Sequence, residues 1–180
     1  MRRIRIVVAY DGTNYCGWQI QPNGITIEEI LNRQISKLTG EDIRIIGASR
    51  TDSGVHALGN VAVFDTESRI PGDRFAYALN QKMPEDIVIV RSDEVQIDWH
   101  PRYQNEISKT YEYHIYNAKV RNPLKNRYST FVSFDLDVEK MRQGAKYILG
   151  EHDFASFCNV RTNAKDTVRT VHEITITEIP

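Results

Sequence analysis

Apolar positions recur at helical period in some stretches of the chain and follow strand-like patterns in most others. Arg3–Tyr10 is β-branched and predicts a strand. Asp11–Gly24 holds three glycines and one proline and predicts a long loop. The next segment carries complete helix signals. Thr26 and Glu29 form a capping box, and Ile25 and Ile30 stand where a hydrophobic staple would. Ile27, Ile30, Leu31, Gln34, Ile35 and Leu38 fall at helical spacing, and Gly40 supplies the stop. Asp42–Ser49 predicts a strand, Arg50–Ala57 a loop and Leu58–Thr66 another strand. Arg74–Lys82 predicts a short helix with Asp73 as its cap and Pro84 ending it. Ile87–Val90 predicts a strand, as does Lys109–Asn117, with Tyr111, Tyr113 and Ile115 on one face. Asp137 caps a predicted helix that runs through Leu149, with Val138, Met141, Ala145 and Ile148 as its inner stripe and Gly150 as its end. Thr167–Ile179 alternates and predicts a last strand.

The resulting order is βαββαβ followed by βαβ. Strands outnumber helices, and several successive strands lack a helical crossover. That favours an α+β fold with a mixed or antiparallel sheet over a doubly wound parallel one. A chain of 180 residues fits one domain or two small ones. At that size roughly 70% of the unfolded surface is buried, so a core forms without disulfides or metal. No apolar run is long enough to span a membrane. The apolar run after the basic start, Ile6–Ala9, is too short for a signal-peptide core. Cys16 and Cys158 make no disulfide framework, and a reducing, cytoplasmic setting is the expectation. A net charge of −1 excludes a chain that is basic all over, but not a local basic face for nucleic acid.

The densest polar cluster is Gly47-Ala48-Ser49-Arg50-Thr51-Asp52-Ser53-Gly54-Val55-His56-Ala57. By itself Asp52-Ser53-Gly54 is ordinary turn chemistry. Read functionally, Asp52 offers a carboxylate as nucleophile or base, Arg50 can pair with it and keep it ionised, and Gly54 lets the backbone turn or approach a substrate. The stretch lacks the last glycine of a nucleophile elbow, and the chain holds no phosphate-binding glycine motif. The histidines at 56, 100, 114, 152 and 172 show no metal spacing. Two stretches have the basic and aromatic mixture that phosphate contact and base stacking require. Asn117–Phe134 carries Lys119, Arg121, Lys125 and Arg127 without an acid, and Phe154–Lys165 carries Arg161 and Lys165.

Arg50-Thr51-Asp52-Ser53-Gly54-Val55-His56-Ala57 resembles the active-site signature of the tRNA pseudouridine synthase A (TruA) family. Tyr10-Asp11-Gly12-Thr13-Asn14-Tyr15-Cys16-Gly17-Trp18-Gln19-Ile20-Gln21 resembles its N-terminal block, and Lys109-Thr110-Tyr111-Glu112-Tyr113 its Arg/Lys-x-Tyr-x-Tyr strand. Gly150–Phe157 and Thr167-Val168-Arg169-Thr170 follow in family order. Ser49, Ser53, Asn60 and Pro101 depart from the usual glycine, alanine, glutamine and alanine, and none of these removes a group the chemistry needs. Nothing here matches the Gly-x-Gly-Phe-Leu…Met-Val-Arg block with which the family continues, so the second half is expected to be truncated relative to the family.

The resemblance implies a pseudouridine synthase fold. Two similar α+β halves, 1–105 and 106–180, would share a mixed, mainly antiparallel sheet with the active-site cleft between them. It implies isomerisation of uridine to pseudouridine at positions 38, 39 and 40 of the tRNA anticodon stem-loop, with no cofactor or metal, by a homodimer. Asp52 matches the catalytic aspartate, which either attacks directly or removes a sugar proton to give a glycal. Tyr111 matches the tyrosine that stacks on the flipped uracil, and Arg50 the arginine that pairs with the aspartate or fills the vacated stack. Thr51, His56, Lys109 and the basic residues of the two stretches are the expected tRNA contacts. The alternative is a non-catalytic RNA-binding fragment or truncated paralogue.

Overall fold

The computed structural model describes residues 1–103, 108–158 and 166–179. The chain divides into two compact units, Met1–Tyr111 and Glu112–Pro180. The first contains β1 (Arg2–Tyr10), α1 (Ile27–Thr39), β2 (Ile46–Gly47), β3 (Ala57–Thr66), α2 (Phe75–Asn80) and β4 (Ile87–Val95). Its four-stranded sheet has the order β2-β3-β1-β4, and every neighbouring pair is antiparallel. β1 lies between its two longest partners and buries Ile4, Ile6, Val8 and Tyr10 on one face. Ile27, Leu31 and Ile35 of α1 and Phe75 and Leu79 of α2 cover that face, and Phe75 meets Phe64 edge-on at 5.3 Å. Each fully buried Leu or Ile here contributes about 1.5–3 kcal/mol of burial.

α1 follows its predicted cap, stripe and stop, although Ile25 of the expected staple is exposed. Thr26 is fully buried and its hydroxyl accepts from the Glu29 amide at 3.3 Å, while Gly40 ends the helix with φ +76°. Asp42–Ser49 differs, because only Ile46–Gly47 pairs as strand. The Ile43 amide donates to Ser36 Oγ and the Ile45 amide to Asn32 Oδ1, each at 2.9 Å, so side chains of α1 take the bonds a ladder would use. Asp73 does not cap α2. A 3₁₀ turn, Gly72–Arg74, precedes the helix, and Ser92 Oγ of β4 accepts from Ala76 N at 2.8 Å instead. β4 runs on to Val95, beyond its predicted end at Val90. Asn80 holds both the N–H and the C=O of Ile89 at the end of α2.

On the opposite sheet face Arg3 forks onto Asp65 and Arg5 onto Asp93. After β4 the chain turns back over this face. Trp99 O accepts from Arg3 at 2.9 Å, and Arg102 Nε donates to Gly47 O at 2.7 Å.

The second unit contains β5 (Ile115–Asn117), β6 (Thr130–Val132), α3 (Val138–Ala145), β7 (Gly150–Asp153) and β8 (Val168–Val171). β5 and β6 pair in parallel, and β7 and β8 antiparallel. None of its described residues is buried. The predicted Lys109–Asn117 strand is reduced to β5, since β6 offers partners only from Ile115 onward. Thr167–Ile179 is likewise a strand only at β8, and Arg142 of α3 holds the Ile176 carbonyl beyond it. Asp137 caps α3 as expected, accepting from Lys140 N at 3.0 Å. The α-helix stops at Ala145, where the bonds of Lys146, Tyr147 and Ile148 tighten to i→i−3.

Candidate active site

The first unit brings two sequence blocks together at one end of its sheet. β1 ends at Tyr10, and the chain from Asp11 to Trp18 lies against the loop that joins β2 to β3. Trp18 N donates to Thr51 O at 3.0 Å, and Gly54 N and Ser53 Oγ both donate to Tyr15 O. The Gly12 amide donates to His56 Nδ1 at 3.2 Å, and that nitrogen lies 3.1 Å from Asp11 Oδ1. The contact is closer than side chains would allow. A methyl group on Gly12 would run into the Val55 carbonyl, and one on Gly17 would lie 2.5 Å from Thr51 O. Gly17 also has φ +81°, a backbone setting that glycine adopts without strain.

This interlock leaves Asp52 at the exposed turn of the loop, where its carbonyl accepts from Val55 N at 3.2 Å. Behind the turn the loop is anchored in polar contacts. Tyr10 Oη is 2.8 Å from Thr51 Oγ1, and Asn60 Nδ2 donates to Ser49 O at 3.0 Å. A register shift between β1 and β3 lies next to this point, where Val8 faces Asn60 but Tyr10 faces Ala57. The extra residue in β3 bends the strand end that carries the loop, as bulges beside active sites do. Burial raises the Tyr10 pKa above the usual phenol range, so its hydroxyl keeps its proton. Burial, reinforced by the hydrogen bond to Asp86, raises that of Tyr15 as well.

The structure thus groups Arg50, Thr51, Asp52 and His56 in one loop. Thr51 and His56 touch the N-terminal block, whereas Arg50 and Asp52 are exposed. Among the described residues no ion pair joins Arg50 to Asp52, contrary to the pairing their spacing suggests. Tyr111 is 75% exposed and lies outside any strand, as does Lys109. In the second unit Lys119 pairs with Asp135 at 2.7 Å, so the acid one residue past the basic stretch neutralises it. Arg121 lies over the Phe131 ring at 4.7 Å. Lys125 and Arg127 follow in the exposed turns before β6. Arg161 and Lys165 lie outside the described residues. Among the described residues no three His, Cys, Asp or Glu side chains gather as a metal site, and no helix is long and apolar enough to cross a membrane.

Sequence reasoning singled out the Asp52 loop but not the Tyr10 and Asn60 side chains that bond to it from the sheet. Their signal was in the alternation. Positions 4, 6, 8 and 10 of β1 and 60, 62, 64 and 66 of β3 are buried, so the polar groups at 10 and 60 require internal partners.

The chain is similar to known proteins over most of its length. The family model described as tRNA pseudouridine synthase matches residues 6–104 and 145–180. The tRNA pseudouridine synthase A of Acetivibrio thermocellus is 49% identical over 176 residues, which are 98% of this chain and 72% of that protein. The tRNA pseudouridine synthase A of Brevibacillus brevis is 44% identical over 179 residues, 99% of this chain and 73% of that protein. The tRNA pseudouridine synthase A 2 of Clostridium perfringens is 48% identical over 176 residues. With the interlocked Tyr10–Trp18 and Arg50–His56 blocks inside the matched region, this chain belongs to the tRNA pseudouridine synthase family.

Proposed function

We propose that this chain isomerises uridine to pseudouridine in tRNA, at positions 38, 39 and 40 of the anticodon stem-loop. The observation that carries the reading is the exposed Asp52, held at the turn of a loop that the N-terminal block clamps from behind. In the reaction the bond from the sugar C1′ to N1 breaks and one from C1′ to C5 forms. C5 loses a proton and N1 gains one, so no atoms are exchanged overall. The work of the site is to extrude the nucleotide, at a cost of a few kcal/mol, and to retain the detached base while it turns.

In this proposal Asp52 reacts with the nucleotide, by direct attack or by taking a sugar proton to give a glycal. Tyr111 stacks on the uracil, and its exposed ring leaves a face open for that. Arg50, exposed and outside any ion pair among the described residues, is free to fill the gap the nucleotide leaves. Lys109, Arg121, Lys125 and Arg127, together with Arg161 and Lys165, are proposed contacts to the tRNA backbone, and Lys119 contributes less because of Asp135. The two-half architecture of the family, a homodimer and a cytoplasmic location belong to the same proposal.

The test is incubation with unmodified tRNA, followed by carbodiimide labelling and primer extension. Stops at the anticodon stem-loop are expected. Asp52→Asn is expected to abolish them, a loss of at least about 10³-fold, while tRNA affinity stays within about threefold. Turnover in Asp52→Asn would remove Asp52 from its role. Salt-sensitive tRNA binding by the unaltered chain without product would favour a binding function instead.

A further inference from the structure

Two buried polar groups behind the Asp52 loop, Tyr10 and Asn60, take no part in the proposed chemistry, and they are joined to one another and, through Tyr10, to the half-buried Thr51 of the loop. The Tyr10 ring is 4% exposed and lies against Trp18 with centroids 5.9 Å apart. Its hydroxyl meets Thr51 Oγ1 at 2.8 Å and receives the Asn60 amide at 3.5 Å. The same amide donates to Ser49 O at 3.0 Å. The Thr51 carbonyl accepts from Trp18 N at 3.0 Å. Ser49 and Thr51 are therefore fixed on both sides of Arg50, and Thr51 directly precedes Asp52.

Asp52 itself is exposed, and among the described residues no ion pair holds its carboxylate. Its aim is set by the backbone, which side chains anchor on both sides of it, Thr51 at the Tyr10 hydroxyl and Ser53 at the Tyr15 carbonyl. We infer that the Tyr10 hydroxyl is a positioning group for Asp52, acting through Thr51 and Asn60 without touching the substrate. This deepens the reading of Asp52 given above and rests on it. A tyrosine suits the task. Its ring is bound into the core by burial, so its oxygen is held at a fixed height above the sheet. A buried hydroxyl left without a partner is costly, which opposes any shift of the loop away from it. The phenol is protonated at neutral pH in any case, and burial raises its pKa further, so the hydroxyl stays intact well above neutral pH. A displacement of about 1 Å at the reacting group can cost roughly 10²-fold in rate.

Tyr10→Phe keeps the ring and removes the oxygen. In the full chain its single-turnover rate is expected to fall about 10- to 100-fold, with the tRNA dissociation constant within about twofold. Amide hydrogen exchange at Gly54 and Val55, the hydrogen-bonded amides of the turn, is expected to quicken about tenfold, with core amides of β1 and α1 unchanged. Thr51→Val should reproduce both effects. Thr51→Ser, which retains the oxygen, should recover most of the rate lost in Thr51→Val. The double variant Tyr10→Phe/Thr51→Val should be no slower than the worse single one.

Unchanged exchange and rate in Tyr10→Phe would overturn the inference. So would a loss of tRNA affinity that accounts for the loss of rate, since that marks a substrate contact. Were Tyr10→Phe to fail to fold, the Thr51→Val and Thr51→Ser pair would still decide, with equal rates in the two overturning it. Absence of product from the unaltered chain would refute the proposed function, and the exchange comparison would then judge the hold on the loop separately.

Discussion

Gly17 shows how a single residue without a side chain serves the site. Its backbone is left-handed, with φ +81°, and a methyl group there would press on the carbonyl of Thr51. That carbonyl is the acceptor of Trp18 N, so relief of the clash would move the residue next to Asp52. Gly17→Ala is expected to cost about 1–3 kcal/mol of stability from the backbone strain alone. Pseudouridine formation should fall further than stability does, by at least about tenfold. Urea unfolding and a single-turnover assay on the same preparation separate the two. At this scale the proposed role of Asp52 comes from the contiguous Arg50–Ala57 motif, which was legible in the sequence. Tyr10 and Asn60 were not, because their partners lie 41 and 11 residues away along the chain.

Elements formed where the sequence predicted when their stabilising contacts are local. α1 carries its own cap, stripe and stop within 26–40, and all three are present in the structure. Thr26→Ala is therefore expected to cost about 1 kcal/mol, and Thr26→Ser much less, read as the urea midpoint at unchanged slope. Elements moved where their contacts are distant. Asp42–Ile45 has strand-like residues, yet its amides bond to Asn32 and Ser36. Asp73 is well placed in sequence to cap α2, but the hydroxyl of Ser92 from β4 reaches the first turn instead. Lys109–His114 and 172–179 have strand patterns and no ladder among the described residues. A strand needs a neighbour, and a periodic sequence does not supply one.

At the scale of the whole molecule, the buried side chains among the described residues all belong to the first unit, and two of them are tyrosines whose pKa burial raises. In the unfolded chain both ionise near pH 10, whereas in the fold they keep their protons above it. The unfolded state then binds fewer protons than the folded one, so stability falls as pH rises through about 10 and beyond. Urea midpoints from about pH 8 to 11 should decline on the alkaline side, and Tyr15→Phe should flatten that decline. A midpoint level across the range would contradict it. The net charge of −1 carries no such information, since forked pairs such as Arg3–Asp65 and Arg5–Asp93 cancel charge locally. By itself the sequence determined the α+β class, the caps of α1 and α3 and the polar loop around Asp52, because spacing, caps and motif order are properties of neighbouring residues. Only the tertiary structure decided which strand patterns found partners and how the Tyr10–Trp18 block clamps the loop of Asp52. Those outcomes depend on hydrogen bonds and close approaches between residues that the chain keeps far apart until it folds.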